Sequence, residues 1–155
     1  MAPSRSLFVR LSRTVALDEA PADLLGALRA ELVERQLVLD PGVVLASCET
    51  LSMPNERAEP PHAPGPGYRH LAVVTSLWLG WVTDAVRPSI ATAVLLSEVS
   101  VRRFRSPLVI DEGIEVNGPF EGVGAPSATV FLPVAGPDGE AFISHVLRAA
   151  ERARG

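Results

Sequence analysis

Tyr68 to Asp84 reads YRHLAVVTSLWLGWVTD, and this stretch decides the fold class. Leu71, Val73 and Thr75 alternate with His70, Ala72 and Val74. After Ser76, Leu77, Leu79, Trp81 and Thr83 alternate with Trp78, Gly80 and Val82. A period of two with β-branched and aromatic side chains marks strands, so the stretch is a hairpin with almost nothing between its arms. Both tryptophans of the chain lie in it. Their spacing points them to opposite sides of one strand. One is expected in the core, and the other under a helix or in solvent. An exposed tryptophan anchors interfaces, which makes Trp78 and Trp81 candidate binding residues.

Towards the C-terminus the pattern stays β-rich. Residues 89–97, 99–105 and 127–134 read as strands, and residues 107–117 as apolar pairs around a turn at Asp111-Glu112-Gly113. Gly118 to Pro126 reads as a loop. A helix is expected over residues 139–154, with Phe142, Ile143, Val146, Ala149, Ala150 and Ala153 on one face. Asp138 suits its N-cap, and Arg148, Arg152 and Arg154 favour its C-terminal dipole.

Towards the N-terminus, residues 43–53 read as a strand with a mixed face. Five prolines between Pro54 and Pro66 forbid a ladder, so residues 54–67 form a long loop inside the domain. Residues 20–37 read as a helix with Pro21 in its first turn and an apolar stripe of Leu24, Leu25, Leu28 and Leu32. Residues 1–17 form a basic arm. Leu7, Phe8, Val9, Val15 and Leu17 need burial, which favours docking as an edge strand over a loose arm. Residues 18–155 then make one domain.

The totals fit that size. The chain has 155 residues, 47% hydrophobic, with formal net charge −4, and all of its 14 basic residues are arginine. Such a balance gives no positive field for nucleic acid. Cys48 is the single cysteine, so no internal disulfide forms and a cytoplasmic address is expected. No apolar run reaches the roughly 18 residues of a membrane span. Arginines interrupt the apolar residues at the N-terminus, so no secretory leader is expected.

Residues 42–154 resemble the bacterial pleckstrin-homology-like domains of the YokE-like and GRAM-like types. The resemblance rests on Leu71-Ala72-Val73-Val74-Thr75-Ser76-Leu77-Trp78-Leu79, on Leu95-Leu96-Ser97-Glu98-Val99, on Gly113-Ile114-Glu115-Val116 and on the closing helix from Glu140 to Arg154. Trp78 stands where that family has arginine, and Ser76 where it has aspartate. The resemblance implies an α+β fold: a bent antiparallel sheet or partly open barrel of about seven strands, capped by a C-terminal helix. The N-terminal helix is extra. It carries over no catalytic residue. Eukaryotic relatives of the fold bind phosphoinositides through a basic first hairpin, but here that loop carries Glu56, Arg57 and Glu59.

No catalytic constellation stands out. His62, His70 and His145 have no second ligand at a metal-binding spacing, and no G-x-S-x-G elbow occurs. Cys48 reads as a small buried hydrophobe. Asp111 and Glu112 read as turn carboxylates facing water. Arg102, Arg103 and Arg105 form the internal basic cluster, with Arg103 and Arg105 on one strand face and Arg102 on the other.

The leading expectation is therefore a non-enzymatic protein-interaction module without metal or cofactor. Its partner is another protein, met through Trp78, Trp81 or the arginines Arg102, Arg103 and Arg105, or a second copy of the chain, met through a strand edge or the N-terminal arm. One alternative is a small-ligand binder or enzyme with a cavity near His70, Cys48 and Glu49. The other is contact with an anionic membrane through Arg5, Arg10, Arg13 and the Arg102–Arg105 cluster.

Overall fold

A computed structural model describes residues 8–55, 67–108, 111–120 and 126–155. The elements run β1 (Phe8–Thr14), α1 (Ala22–Glu34), β2 (Val44–Pro54), β3 (Tyr68–Thr75), β4 (Trp78–Thr83), β5 (Ile90–Leu95), β6 (Ser100–Arg103), β7 (Gly113–Gly118), β8 (Ala128–Pro133) and α2 (Gly136–Arg154). The fold is α+β. β1 to β5 form one antiparallel sheet in sequence order, and β6 to β8 form a second sheet of three strands.

The β3–β4 hairpin lies at the centre of the larger sheet, with Val74 opposite Leu79. Its turn lacks glycine and asparagine. Thr75 supplies the turn chemistry instead, because its buried hydroxyl accepts the backbone N–H of Leu77 (3.1 Å) and of Trp78 (3.0 Å). A bulge between Val44 and Ala46 bends β2 beside this turn.

Each face of the hairpin has its own core. Leu71, Val73, Trp78, Val82 and Ala93 pack with Leu24, Leu28 and Leu32 of α1. The leucines repeat every four residues, so they stack on one side of the helix. On the opposite face, Cys48, Ala72, Val74, Leu79 and Trp81 pack with Ile114, Val116 and Leu132 of the smaller sheet. Phe142, Ile143, Val146, Ala149 and Ala150 of α2 complete that second core.

Several boundaries differ from expectation. α1 stops at Glu34 rather than at residue 37, because Gln36 takes the left-handed conformation (φ 58°). Leu37 N–H then bonds Leu32 C=O (2.9 Å) and Gln36 N–H bonds Val33 C=O (3.1 Å), which is a Schellman ending built without glycine. α2 begins at Gly136, so Asp138 lies inside its first turn and does not cap it. Its carboxylate accepts the Thr14 N–H of β1 instead (2.9 Å). The expected arm is in part a strand, since β1 pairs with β2 along its whole length. Within the expected loop over residues 54–67, residues 56–66 lie outside the described residues, together with Glu56, Arg57, Glu59 and His62.

Candidate functional site

Trp78 and Trp81 point to opposite faces, as their spacing requires, and both are buried, at 2% and 6% exposure. Trp78 lies under α1, and its indole N–H donates to the Val38 carbonyl (3.3 Å). Trp81 lies in the second core, where its ring meets Phe120 edge-on (6.1 Å between centroids). Neither presents an anchor to solvent. The helix that covers Trp78 belongs to the same chain.

The arginine cluster does not converge. Arg102 points outward and pairs with Glu115 across the β6–β7 ladder (2.5 Å). Arg103 turns to α2 and pairs with Glu140 (2.5 Å). That pairing raises the Arg103 pKa and lowers that of Glu140, in each case mainly through their shared hydrogen bond. Arg105 lies beyond the end of β6, exposed. Of the arginines suggested for a membrane surface, Arg13 pairs with Glu49 (2.9 Å), Arg10 is buried, and Arg5 lies outside the described residues.

Arg10 holds the densest polar cluster. It meets Asp111 with two prongs, Nε to Oδ1 (3.1 Å) and Nη2 to Oδ2 (3.2 Å). Nη1 donates to Tyr68 Oη (2.8 Å) and to Ser52 Oγ. The guanidinium also lies 5.2 to 5.9 Å from the ring centres of Phe8, Phe131 and Tyr68, within cation–π range. Burial opposes its charge, but the hydrogen bonds to Asp111 and Tyr68 outweigh burial and raise its pKa. Asp111 is thus not a water-facing turn carboxylate. Nor is Glu112 uncommitted, since its Oε2 accepts the Gly136 N–H (3.0 Å).

Next to this clamp the inner face of β2 and β3 is polar. Thr50 stands opposite His70, and Ser12 Oγ shares a hydrogen bond with Thr50 Oγ1 (2.7 Å). His70 is 2% exposed, and neither ring nitrogen has a hydrogen-bond partner. Burial, aided by the positive charge of Arg10, pushes its pKa down to about 3, so the ring is neutral. Cys48 on the same face has its thiol pushed up to about 11 by burial, with hydrogen bonds from Ser12 and Thr50 working against that shift. Glu49 projects to the other face, where it meets Arg13. His70, Cys48 and Glu49 therefore do not share one face.

The exposed feature with the clearest chemistry is apolar. Among the described residues, α1 packs against β3, β4 and β5, and the outer face of β1 and β2 is exposed at Val9, Leu11, Leu51 and Met53. There Val9 stands opposite Met53 and Leu11 opposite Leu51. These four side chains are 47%, 43%, 56% and 38% exposed. Arg69 fences the patch from α1 through ion pairs to Asp23 and to Asp84 (2.8 Å). Those two carboxylates raise the arginine's pKa by hydrogen bonding, and Arg69 lowers that of Asp23. Val9, expected to be buried, is therefore exposed. The signal that contradicts that expectation was present in the period-two match of Val9 and Leu11 with Leu51 and Met53, but only the strand register shows that the two pairs coincide.

Among the described residues, no group of three or more His, Cys, Asp or Glu side chains is placed to hold a metal ion. No helix among them is long and apolar enough to cross a membrane. Comparison with protein families, with curated proteins and with solved structures gives no match to this chain.

Proposed function

We propose that this chain is a pleckstrin-homology-like, non-enzymatic module that binds another protein through the bare face of β1 and β2. The carrying observation is the pair of exposed apolar rungs, Val9–Met53 and Leu11–Leu51, on the sheet edge that α1 leaves uncovered. Contiguous apolar surface gains free energy when an apolar partner covers it, at about 25 cal/mol per Å². The Arg13–Glu49 ion pair next to these rungs supplies a polar rim. A β-rich unit closed by α2 supports the pleckstrin-homology-like part of the reading. Against enzymatic chemistry stand a Cys48 thiol held protonated by burial and a His70 ring without a partner.

The test places a photo-crosslinking amino acid at Leu11 and, as control, at exposed Arg148 on α2. Crosslinks to a defined protein from the Leu11 position alone, abolished by Leu51→Glu, support the reading. Equal crosslinking from both positions would sink it. Light scattering on the purified chain separates the two kinds of partner. A dimer that Leu51→Glu dissociates makes the partner a second copy.

A further inference from the structure

The opposite edge of the large sheet carries a second, independent feature. Arg35 and Leu37 after α1, Ala93, Val94 and Leu95 of β5, and Glu98 with Pro119 enclose a groove of about 260 Å³. Cofactor and drug-sized pockets run from roughly 300 to 1,000 Å³, so this one suits side chains rather than a whole small-molecule ligand.

Its floor is a strand edge. β5 pairs with β4 on one side, and no strand among the described residues pairs with it on the other. Leu96 N–H donates to Leu77 C=O (2.9 Å) on the β4 side. Alternation along an antiparallel strand then turns the backbone groups of Ala91, Ala93 and Leu95 away from β4, and of these the Leu95 carbonyl already accepts the Glu98 N–H (3.0 Å), so the edge is open from Ala91 to the Leu95 N–H. The charges at the rim are unequal in commitment. Arg35 is held by Glu31 (2.6 Å) and by the Phe120 carbonyl (3.2 Å). Glu98 is exposed and carries no ion pair among the described residues.

We propose that this groove receives an extended segment of a partner polypeptide, added as an extra strand along β5, with a basic side chain at Glu98. Backbone hydrogen bonds would supply affinity, as in other strand additions. The shallow apolar floor at Leu37 and Leu95 would take a small apolar side chain, and the uncommitted carboxylate of Glu98 would select the cation.

A synthetic peptide alternating valine and arginine tests this by amide-resolved NMR titration, with a valine–glutamate peptide as the charge control. Expected are shifts at Ala91, Ala93 and Leu95, slowed exchange of their amides, and binding of the arginine peptide only. In Glu98→Arg that preference reverses, by about tenfold or more. Ala91→Pro removes one outward donor while leaving the β4–β5 ladder intact, and it should abolish binding. Unchanged binding in Ala91→Pro, loss of charge preference without reversal in Glu98→Arg, or shifts confined to β1 and β2 would each overturn the proposal. Leu11→Glu, at the far edge, should bind the peptide as wild type does, so this result stands apart from the β1–β2 face.

Discussion

Arg10 and Asp111, separated by 101 positions in the chain, meet in a two-pronged ion pair that ties the edge strand of one sheet to the β6–β7 connection of the other. The side chains are 8% and 14% exposed. Removing one member leaves the other charged and desolvated. Arg10→Ala and Asp111→Ala should each cost about 3–5 kcal/mol. The double replacement Arg10→Ala with Asp111→Ala should cost much less than the sum. Urea denaturation of the four proteins in the cycle measures this, and strict additivity would show that the two groups are not coupled.

His70 makes stability depend on pH in a defined direction. The unfolded chain takes up its proton near the ordinary value of 6.5, whereas the buried ring resists until about 3. Between those values the unfolded state binds more protons, so stability falls as the solution is acidified through that window. The contribution is fully present above pH 6.5. The slope is about 1.4 kcal/mol per pH unit for one proton. His70→Leu should flatten this part of the profile, as followed by denaturant midpoints from pH 7 to pH 4.

Gln36 occupies a left-handed position that glycine adopts at no steric cost. Gln36→Gly should raise stability by up to about 1 kcal/mol, read as a higher melting temperature with an unchanged circular dichroism spectrum. A loss of stability would mean that the Gln36 side chain makes a compensating contribution.

A side-chain carbon added at Gly80 would lie 3.0 Å from the Trp78 ring and 3.1 Å from Leu28 Cδ1. Gly80→Ala should therefore destabilise the α1 side of the sheet. Leu28→Ala alone should cost about 2–5 kcal/mol by opening a cavity. Adding Gly80→Ala to Leu28→Ala should cost less than it does in the wild type, because the new methyl enters that cavity. Thermal denaturation of all four proteins in the cycle tests this, and additive losses would exclude a shared space.

Cys48 should resist thiol reagents in the native state. With the thiol at about 11, roughly one molecule in a thousand is a thiolate at pH 8, and burial blocks access besides. Labelling should appear only with unfolding, so its rate under native conditions reports the opening of β2. Rapid labelling of folded protein would contradict this.

How much of this was legible beforehand follows from which forces act locally. The β3–β4 hairpin, the opposed tryptophans and the leucine stripe of α1 were readable because each depends on a short-range period. The ending of α1 was not, because a non-glycine residue at positive φ leaves no local mark. Asp111 and Asp138 resemble turn and cap residues locally, yet both are claimed by β1 from across the fold. The same holds for the arginines. Arg102 and Arg103 are neighbours in the chain, but strand alternation sends them to Glu115 and Glu140 on different elements. The bare apolar face of β1 and β2 needed the register, which no periodicity within either strand alone could supply.

β1 also has a timing of its own. Its ladder partner β2 comes within a few dozen residues, but Asp111 lies 101 positions after Arg10 and Asp138 lies 124 positions after Thr14. A ribosome extends the chain at about 5–20 residues per second. For several seconds of synthesis, β1 and β2 therefore exist without the carboxylates that fasten them. During that interval the inner face of β1 and β2, which α2 covers in the finished fold, is open as well as the outer apolar rungs.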